Sequence, residues 1–182
     1  MSDASKTTVL VIGAGKHGGT GSRVVEQLLA RDRAVRLLVR SRGARVERFV
    51  EQGVQVVMGD LLDRRTLSEA VRGVDAVYFA YPIAAGAVAA AANLASVLRS
   101  EGVSPHLVVM SMGPAAAESP SALGRAQWAA EEVFGWAGLD PTVLRVPSLF
   151  YENVLVLHGA EIRETGRFAN SFGTSRAPWI SG

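Results

Sequence analysis

Between Thr8 and Arg33 the chain passes through an unbroken apolar run, a loop dense in glycine and an amphipathic stretch, and few folds accept that succession. Thr8-Val9-Leu10-Val11-Ile12 is rich in β-branched residues without polar alternation, the pattern of a parallel strand covered on both faces. Gly13-Ala14-Gly15-Lys16-His17-Gly18-Gly19-Thr20-Gly21 follows, and Val24, Val25, Leu28 and Leu29 then recur at helical spacing, which predicts a helix over Ser22–Arg31. Glycine suits such a junction because it tolerates positive φ and puts no Cβ between the backbone and a bound pyrophosphate. The free N–H groups and the positive end of the helix dipole then face the anion. A dinucleotide is the ligand this junction predicts.

The glycines can be read in two phases. Gly13, Gly15 and Gly18 spell G-x-G-x-x-G, whereas Gly15, Gly18 and Gly21 spell G-x-x-G-x-x-G. Counting back from the predicted helix favours the second phase, with Gly21 directly before the helix and Gly13-Ala14 lengthening the loop. The bland alternative is a flexible turn, which the strand on one side and the helix on the other disfavour.

The rest of the chain alternates in the same way. Predicted strands are Ala34–Val39, Val54–Met58, Val74–Ala80, Leu107–Met110 and Pro141–Val146, with helices over Ala44–Gln52, Asp63–Val71, Ala84–Ser100, Ser121–Trp136 and a last one through Ile162. Val46, Phe49 and Val50 form the expected buried face of the Ala44–Gln52 helix. This is an α/β, doubly wound, Rossmann-type pattern of about six parallel strands with helices on both faces. At 182 residues and 48% hydrophobic content it fits one domain over 1–182.

Composition removes several classes of function. There is no cysteine, hence no disulfide and no thiol nucleophile, which suits a cytoplasmic protein, and His17, His106 and His158 are too scattered to suggest a metal site. Ala76–Leu98 carries one charge-free stretch long enough to raise the question of a membrane span, but Pro82 and Gly86 interrupt it and a strand followed by a helix is the better reading. The short polar N-terminus lacks the apolar segment of a signal peptide. A net charge of +2 does not by itself imply nucleic acid.

Functional residues are expected where strands end. The second strand finishes at Arg40-Ser41-Arg42 with no acidic residue to meet the ribose hydroxyls of NAD, and a guanidinium there suits the 2′-phosphate of NADP. Arg40 is the first choice and Arg42 the second. The plainer alternative is a solvated basic edge made by Arg31, Arg33, Arg36, Arg40, Arg42, Arg45 and Arg48. Gly59-Asp60-Leu61 ends the third strand, where Asp60 would accept a hydrogen bond from the adenine amino group with Leu61 against the ring, or simply shape a turn. Ala80-Tyr81-Pro82 opens the crevice at the expected reversal of strand order, with Tyr81 beside the nicotinamide or merely packed. Ser111, delivered at the end of the fifth strand, suits a hydrogen bond to a substrate oxygen. It is a poor nucleophile, lacking an elbow glycine and an assigned base.

Taken in order, Gly15-x-x-Gly18-x-x-Gly21, Val35-Arg36-Leu37-Leu38-Val39-Arg40, Gly59-Asp60-Leu61, Gly73-Val74-Asp75-Ala76-Val77, Glu131-Glu132 and Leu144-Arg145-Val146-Pro147 with Phe150-Tyr151-Glu152-Asn153 resemble the NmrA-like group of atypical short-chain dehydrogenase/reductase proteins. The resemblance implies NADP(H) in preference to NAD(H). It places near the cofactor Gly13, Gly15, Lys16, His17, Gly18, Thr20, Gly21, Arg40, Asp60, Leu61, Ala80, Tyr81, Pro82, Gln127, Phe150, Tyr151, Glu152 and Asn153. The group contains quinone reductases, azoreductase-like proteins and redox sensors that bind the nucleotide without turnover.

Two departures shape the expectation. Where the group often has lysine or histidine, four residues before Glu131, this chain has Gln127, and no Tyr-x-x-x-Lys occurs. Ser111, Gln127 and Tyr81 are the remaining catalytic candidates. A ketone acceptor gains about 10²- to 10⁴-fold from a positioned proton donor, whereas a quinone or azo acceptor needs one less. The expectation is therefore an NADPH-dependent reductase of quinone-like or other conjugated small molecules, with a nucleotide-sensing regulator without turnover as the alternative. The chain also stops where group members continue into a part covering the substrate side. The expectation is a fragment, a shortened form, or a homodimer or protein partner that completes the pocket.

Overall fold

The computed structural model describes residues 7–14, 20–146 and 151–169, the last stretch without the side chains of 151–153, 156 and 157. Six strands, β1 (Thr8–Ile12), β2 (Ala34–Val39), β3 (Gln55–Met58), β4 (Ala76–Ala80), β5 (His106–Met112) and β6 (Thr142–Val146), form one parallel sheet in the order β3-β2-β1-β4-β5-β6. The helices between them are α1 (Thr20–Leu29), α2 (Ala44–Glu51), α3 (Ser68–Val71), α4 (Ala87–Ser100) and α5 (Ala122–Trp136), with α6 (Tyr151–Thr165) after β6. The order reverses between β1 and β4, which are directly paired from Val9↔Ala76 to Ile12↔Phe79. Their C-terminal ends therefore diverge into the crevice where open α/β sheets take ligands.

Each face of the sheet carries its own apolar core. On one side Leu10, Ile12, Val77, Phe79, Leu107 and Val109 meet α3, α4 and α5, and on the other Val11, Val35, Leu37 and Tyr78 meet α1 and α2. Alternate β1 residues thus enter different cores, as the unbroken apolar run requires of a strand with no solvent face. The alanine-rich α4 brings Ala87, Ala90, Ala91 and Ala95 against the sheet side, where small side chains allow close approach without loss of helix propensity.

Several boundaries differ from the sequence expectation for local reasons. Helix α1 begins at Thr20, so Gly21 lies inside its first turn rather than before it. The expected single helix over Asp63–Val71 splits into a 3-10 turn, Arg64–Thr66, capped by Asp63, and the short α3. The Thr66 hydroxyl donates to the Asp63 carbonyl at 2.8 Å and accepts from the Asp60 amide at 2.9 Å, and Leu67 is drawn fully into the core. Helix α4 starts at Ala87, three residues later than expected, because Gly86 precedes it at φ +106°. Val50 is 36% exposed, so only Val46 and Phe49 bury the α2 face. Strand β5 extends through Met112, which puts Ser111 within the strand instead of after it. The uncharged Ala76–Leu98 stretch is β4, a turn and most of α4, and no helix among the described residues is long and apolar enough to cross a membrane.

Candidate functional site

The crevice between β1 and β4 is shaped first by backbone. Gly13, immediately after β1, sits at φ +96°, and a Cβ there would lie 2.6 Å from the Ala80 carbonyl oxygen. A Cβ on Gly21 would lie 2.8 Å from both the carbonyl carbon and oxygen of Gly13 and 2.9 Å from the Ala14 nitrogen. The first turn of α1 is thus pressed onto the corner that leaves β1, and only glycine fits. Ala14 is 1% exposed and packed into the corner, whereas Gly13 beside it is exposed, its backbone left open on one side. The Ser22 hydroxyl donates to the Ala14 carbonyl at 3.1 Å, and Arg45 of α2 donates to Ser22 at 2.9 Å. Gly15, Lys16, His17, Gly18 and Phe150 lie outside the described residues, and of Tyr151, Glu152 and Asn153 only the helical backbone of α6 is described.

Thr20 hydrogen-bonds the Tyr78 hydroxyl at 2.6 Å, tying the start of α1 to β4. Burial pushes the Tyr78 phenol above its ordinary range, an effect the Thr20 hydrogen bond opposes. Sequence reasoning missed Tyr78; its place in the alternation of β4 put it in the core without saying what its hydroxyl would meet.

One strand over, Arg40 follows β2, exposed and with no hydrogen bond or ion pair among the described residues. Arg48 of α2 is likewise exposed and without such a contact, but several other arginines of the supposed edge are employed elsewhere. Arg42 lies 3.5 Å from Glu47, Arg31 donates to the Gln27 backbone and side chain, and Arg36 donates to the carbonyls of Ala70 and Arg72 at 2.9 and 2.7 Å and to Gln55 at 2.8 Å. Arg36 is therefore a cap on the end of α3, a cationic group set where helix carbonyls lack partners.

Asp60 accepts from the Leu62 amide at 2.9 Å through one carboxylate oxygen, the turn geometry that its position also allowed on sequence grounds. Leu61 is 8% exposed, with its side chain in the core and its carbonyl held by Asn93 of α4 at 2.8 Å. Gly59 has no room for a Cβ, which would meet the Thr66 carbonyl at 2.8 Å. On the far lip, the Tyr81 hydroxyl donates to the Ala85 carbonyl at 3.1 Å and lies 2.6 Å from where a Gly86 Cβ would be. Tyr81 thereby braces the Pro82–Gly86 turn at the crevice mouth.

Beyond β4 the site turns polar. Ser111 of β5 and Glu131 of α5 are 5% and 6% exposed and share a short hydrogen bond, donated by the serine. Arg145 of β6, directly paired with Ser111 in the sheet, donates from Nε to Glu131 at 3.1 and 3.3 Å and from its terminal nitrogen at 2.5 Å. That pairing lifts the Arg145 guanidinium further above its ordinary value. Gln127, one helical turn before Glu131, is buried, and its amide makes no hydrogen bond among the described residues. Gln127 and Glu131, one turn apart, share the buried face of α5, and Glu131 is the one that meets Ser111. The proton of Ser111 is engaged by Glu131, which leaves the oxygen lone pairs of that hydroxyl for any further partner.

A parallel sheet with a glycine-tight corner at its switch point defines a Rossmann-type dinucleotide-binding protein. The chain belongs to the NAD(P)H-binding family, whose model matches residues 15–171, in keeping with the NmrA-like, atypical short-chain dehydrogenase/reductase resemblance. It is 32% identical over 172 residues to an NAD(P)H azoreductase of Xenophilus azovorans, covering 94% of this chain and 58% of that protein. Among solved structures it resembles a nucleoside-diphosphate-sugar epimerase of Staphylococcus aureus (TM-score 0.78, 21% identity, 96% of this chain and 62% of that one). It also resembles the Escherichia coli quinone oxidoreductase QOR2 complexed with NADPH (TM-score 0.71, 22% identity, 86% and 54%). At these identities the two structures speak for the fold. The chain spans little more than half the length of the azoreductase and the quinone oxidoreductase.

Proposed function

We propose that this chain is the nucleotide-binding part of an NADP(H)-dependent reductase that passes hydride to a quinone-like or other conjugated acceptor. The observation that carries the reading is the pairing of the glycine-tight corner, Gly13 and Gly21, with Arg40 at the end of the neighbouring strand. The corner suits a pyrophosphate because its backbone can be approached where a Cβ would block it. Arg40 has a guanidinium free to fork onto a 2′-phosphate. Bound there, the reduced nicotinamide would supply the hydride. Asp60 retains a second carboxylate oxygen for an adenine amino group, Leu61 offers its backbone, and Ala80, Tyr81 and Pro82 edge the nicotinamide side. The similarity to an azoreductase supports an electron-poor conjugated acceptor.

No strong acid stands on the wall formed by β5 and α5. Gln127 does not titrate, Ser111 gives its proton to Glu131, and Glu131 is enclosed by Arg145. An acceptor driven by its own electron affinity and protonated from water fits such a wall. The same lack of an acid favours the second reading, a nucleotide-sensing protein without turnover.

Fluorescence titration of NADPH and NADH on the wild type and Arg40→Ala tests the cofactor assignment. The wild type is expected to prefer NADPH by about tenfold or more, the equivalent of one charge-assisted contact, and the variant to lose most of that preference. Equal affinities in the wild type would contradict the reading. NADPH oxidation measured across quinone, azo and enone acceptors then separates the two alternatives, since binding without turnover on any of them leaves the sensor.

A further inference from the structure

The buried trio of Ser111, Glu131 and Arg145 has a polarity that follows from counting donors and acceptors. A carboxylate in an ion pair offers only lone pairs, about four in all. Glu131 receives Arg145 Nε on both oxygens, the Arg145 terminal nitrogen on one and the Ser111 hydroxyl on the other. Three protons thus converge on the carboxylate, the Nε one shared between its two oxygens, and each oxygen is engaged. A serine has a single proton, and here it points at Glu131, so what Ser111 can offer to anything else is its oxygen lone pairs. The register places this residue at the ligand end of the sheet: Ala80, the last residue of β4, pairs with Met110, and Ser111 is the next residue of β5.

We propose that Glu131 and Arg145 are positioning residues that lock the Ser111 hydroxyl as a hydrogen-bond acceptor, so that the adjoining subsite selects the amide N–H₂ of a bound nicotinamide rather than a carbonyl oxygen. This rests on the NADP(H) reading above and adds to it the orientation of the ring. A site built to accept from an N–H discriminates against an analogue that can only accept, because two facing acceptors leave both unpaired. An acceptor molecule's carbonyl is excluded from this subsite on the same ground.

The probe is the pair NADPH and its 3-acetylpyridine analogue, which replaces the carboxamide by a group with no N–H. The readout is dissociation constant by calorimetry, independent of turnover. The wild type is expected to bind NADPH about tenfold more tightly than the analogue. Ser111→Ala should reduce that ratio to near one, and Ser111→Thr, which keeps the hydroxyl, should restore it. Glu131→Gln is the sharper variant. Arg145 can only donate, so it turns the new amide oxygen toward itself and leaves the amide N–H₂ facing Ser111. The serine then accepts from Gln and points its own proton at the ligand, and the preference should swing toward the acetyl analogue. A wild-type ratio near one, or a ratio indifferent to Ser111→Ala and Glu131→Gln with NADPH binding intact, overturns the proposal while leaving the cofactor assignment standing. Failure of the wild type to bind either dinucleotide removes the cofactor assignment and this inference with it.

Discussion

The half of the sheet from β3 to β1 and the half from β4 to β6 share one architecture but are filled differently. Around β1, β2, α1 and α2 the interior is aliphatic and aromatic, and Ser22 is the one buried polar residue there among those described. The stretch from Ser111 to Glu131 holds the other four: Ser111, Ser119, Gln127 and Glu131. Binding a pyrophosphate asks for backbone amides and close approach, which need glycines and an apolar floor. Orienting a reacting group asks for side-chain polarity, and that polarity has to be buried to be directional. The first half therefore spends its specificity on the absence of side chains, and the second on their hydrogen bonds.

The packing that holds α5 onto the second half is where the comparison can be broken most severely. Phe134 of α5 is fully buried and meets Phe79 of β4 edge-on at 5.2 Å, so Phe134→Ala removes an aromatic contact that holds α5, with its polar residues, against β4. A loss of about 3–5 kcal/mol in urea unfolding is expected. A loss below about 1 kcal/mol would mean that the polar half packs independently of this contact.

Gly21→Ala tests the claim that the first half works by leaving side chains out. Alanine would gain roughly 1 kcal/mol of helix propensity at an ordinary helical position. Here its methyl would strike backbone atoms at 2.8–2.9 Å, which can yield only by shifting α1 off β1. The clash should win, with a net destabilisation of about 1–3 kcal/mol and a marked loss of NADPH affinity. An alanine variant of unchanged stability and affinity would show that the corner is looser than its geometry.

The smallest effect is expected at Tyr78, the phenol that joins the two halves through Thr20. Tyr78→Phe removes one hydrogen bond, worth about 1 kcal/mol. In the folded protein burial raises the Tyr78 pKa, so the neutral phenol is favoured over the unfolded state, and the associated stability is present below the ordinary tyrosine range and lost as pH climbs through the raised value. An absorbance titration of the three tyrosines should therefore show one ionising late, and that component should vanish in the phenylalanine variant.

How much of this was readable in advance follows the same division. The β1 run announced a doubly covered strand because every residue in it is apolar, and the six-strand parallel alternation followed from spacing alone. Gly21 was legible as the glycine at the helix junction, but Gly13 read as an extension of the loop and the helix as starting at Ser22; which contacts forbid a Cβ depends on α1 beginning at Thr20. Arg36 and Arg40 are indistinguishable as residue types. Only the third dimension shows that one reaches the end of α3 and the other nothing described. Glu131 was visible as part of an acidic pair, and Arg145 as a charge in a strand, but their meeting across Ser111 joins residues distant in sequence and left no periodic trace. Long-range polar contacts are set by topology, and local pattern does not encode them.

The attachment of Arg36 has a consequence for anyone recombining this fold with its relatives. Strand β2 and the residues closing α3 are more than thirty positions apart, yet one guanidinium stitches them, so a crossover point placed between them separates a fastener from its eyelet. Hybrids that inherit both from the same parent keep the seam; those that split them must find a new way to finish that helix.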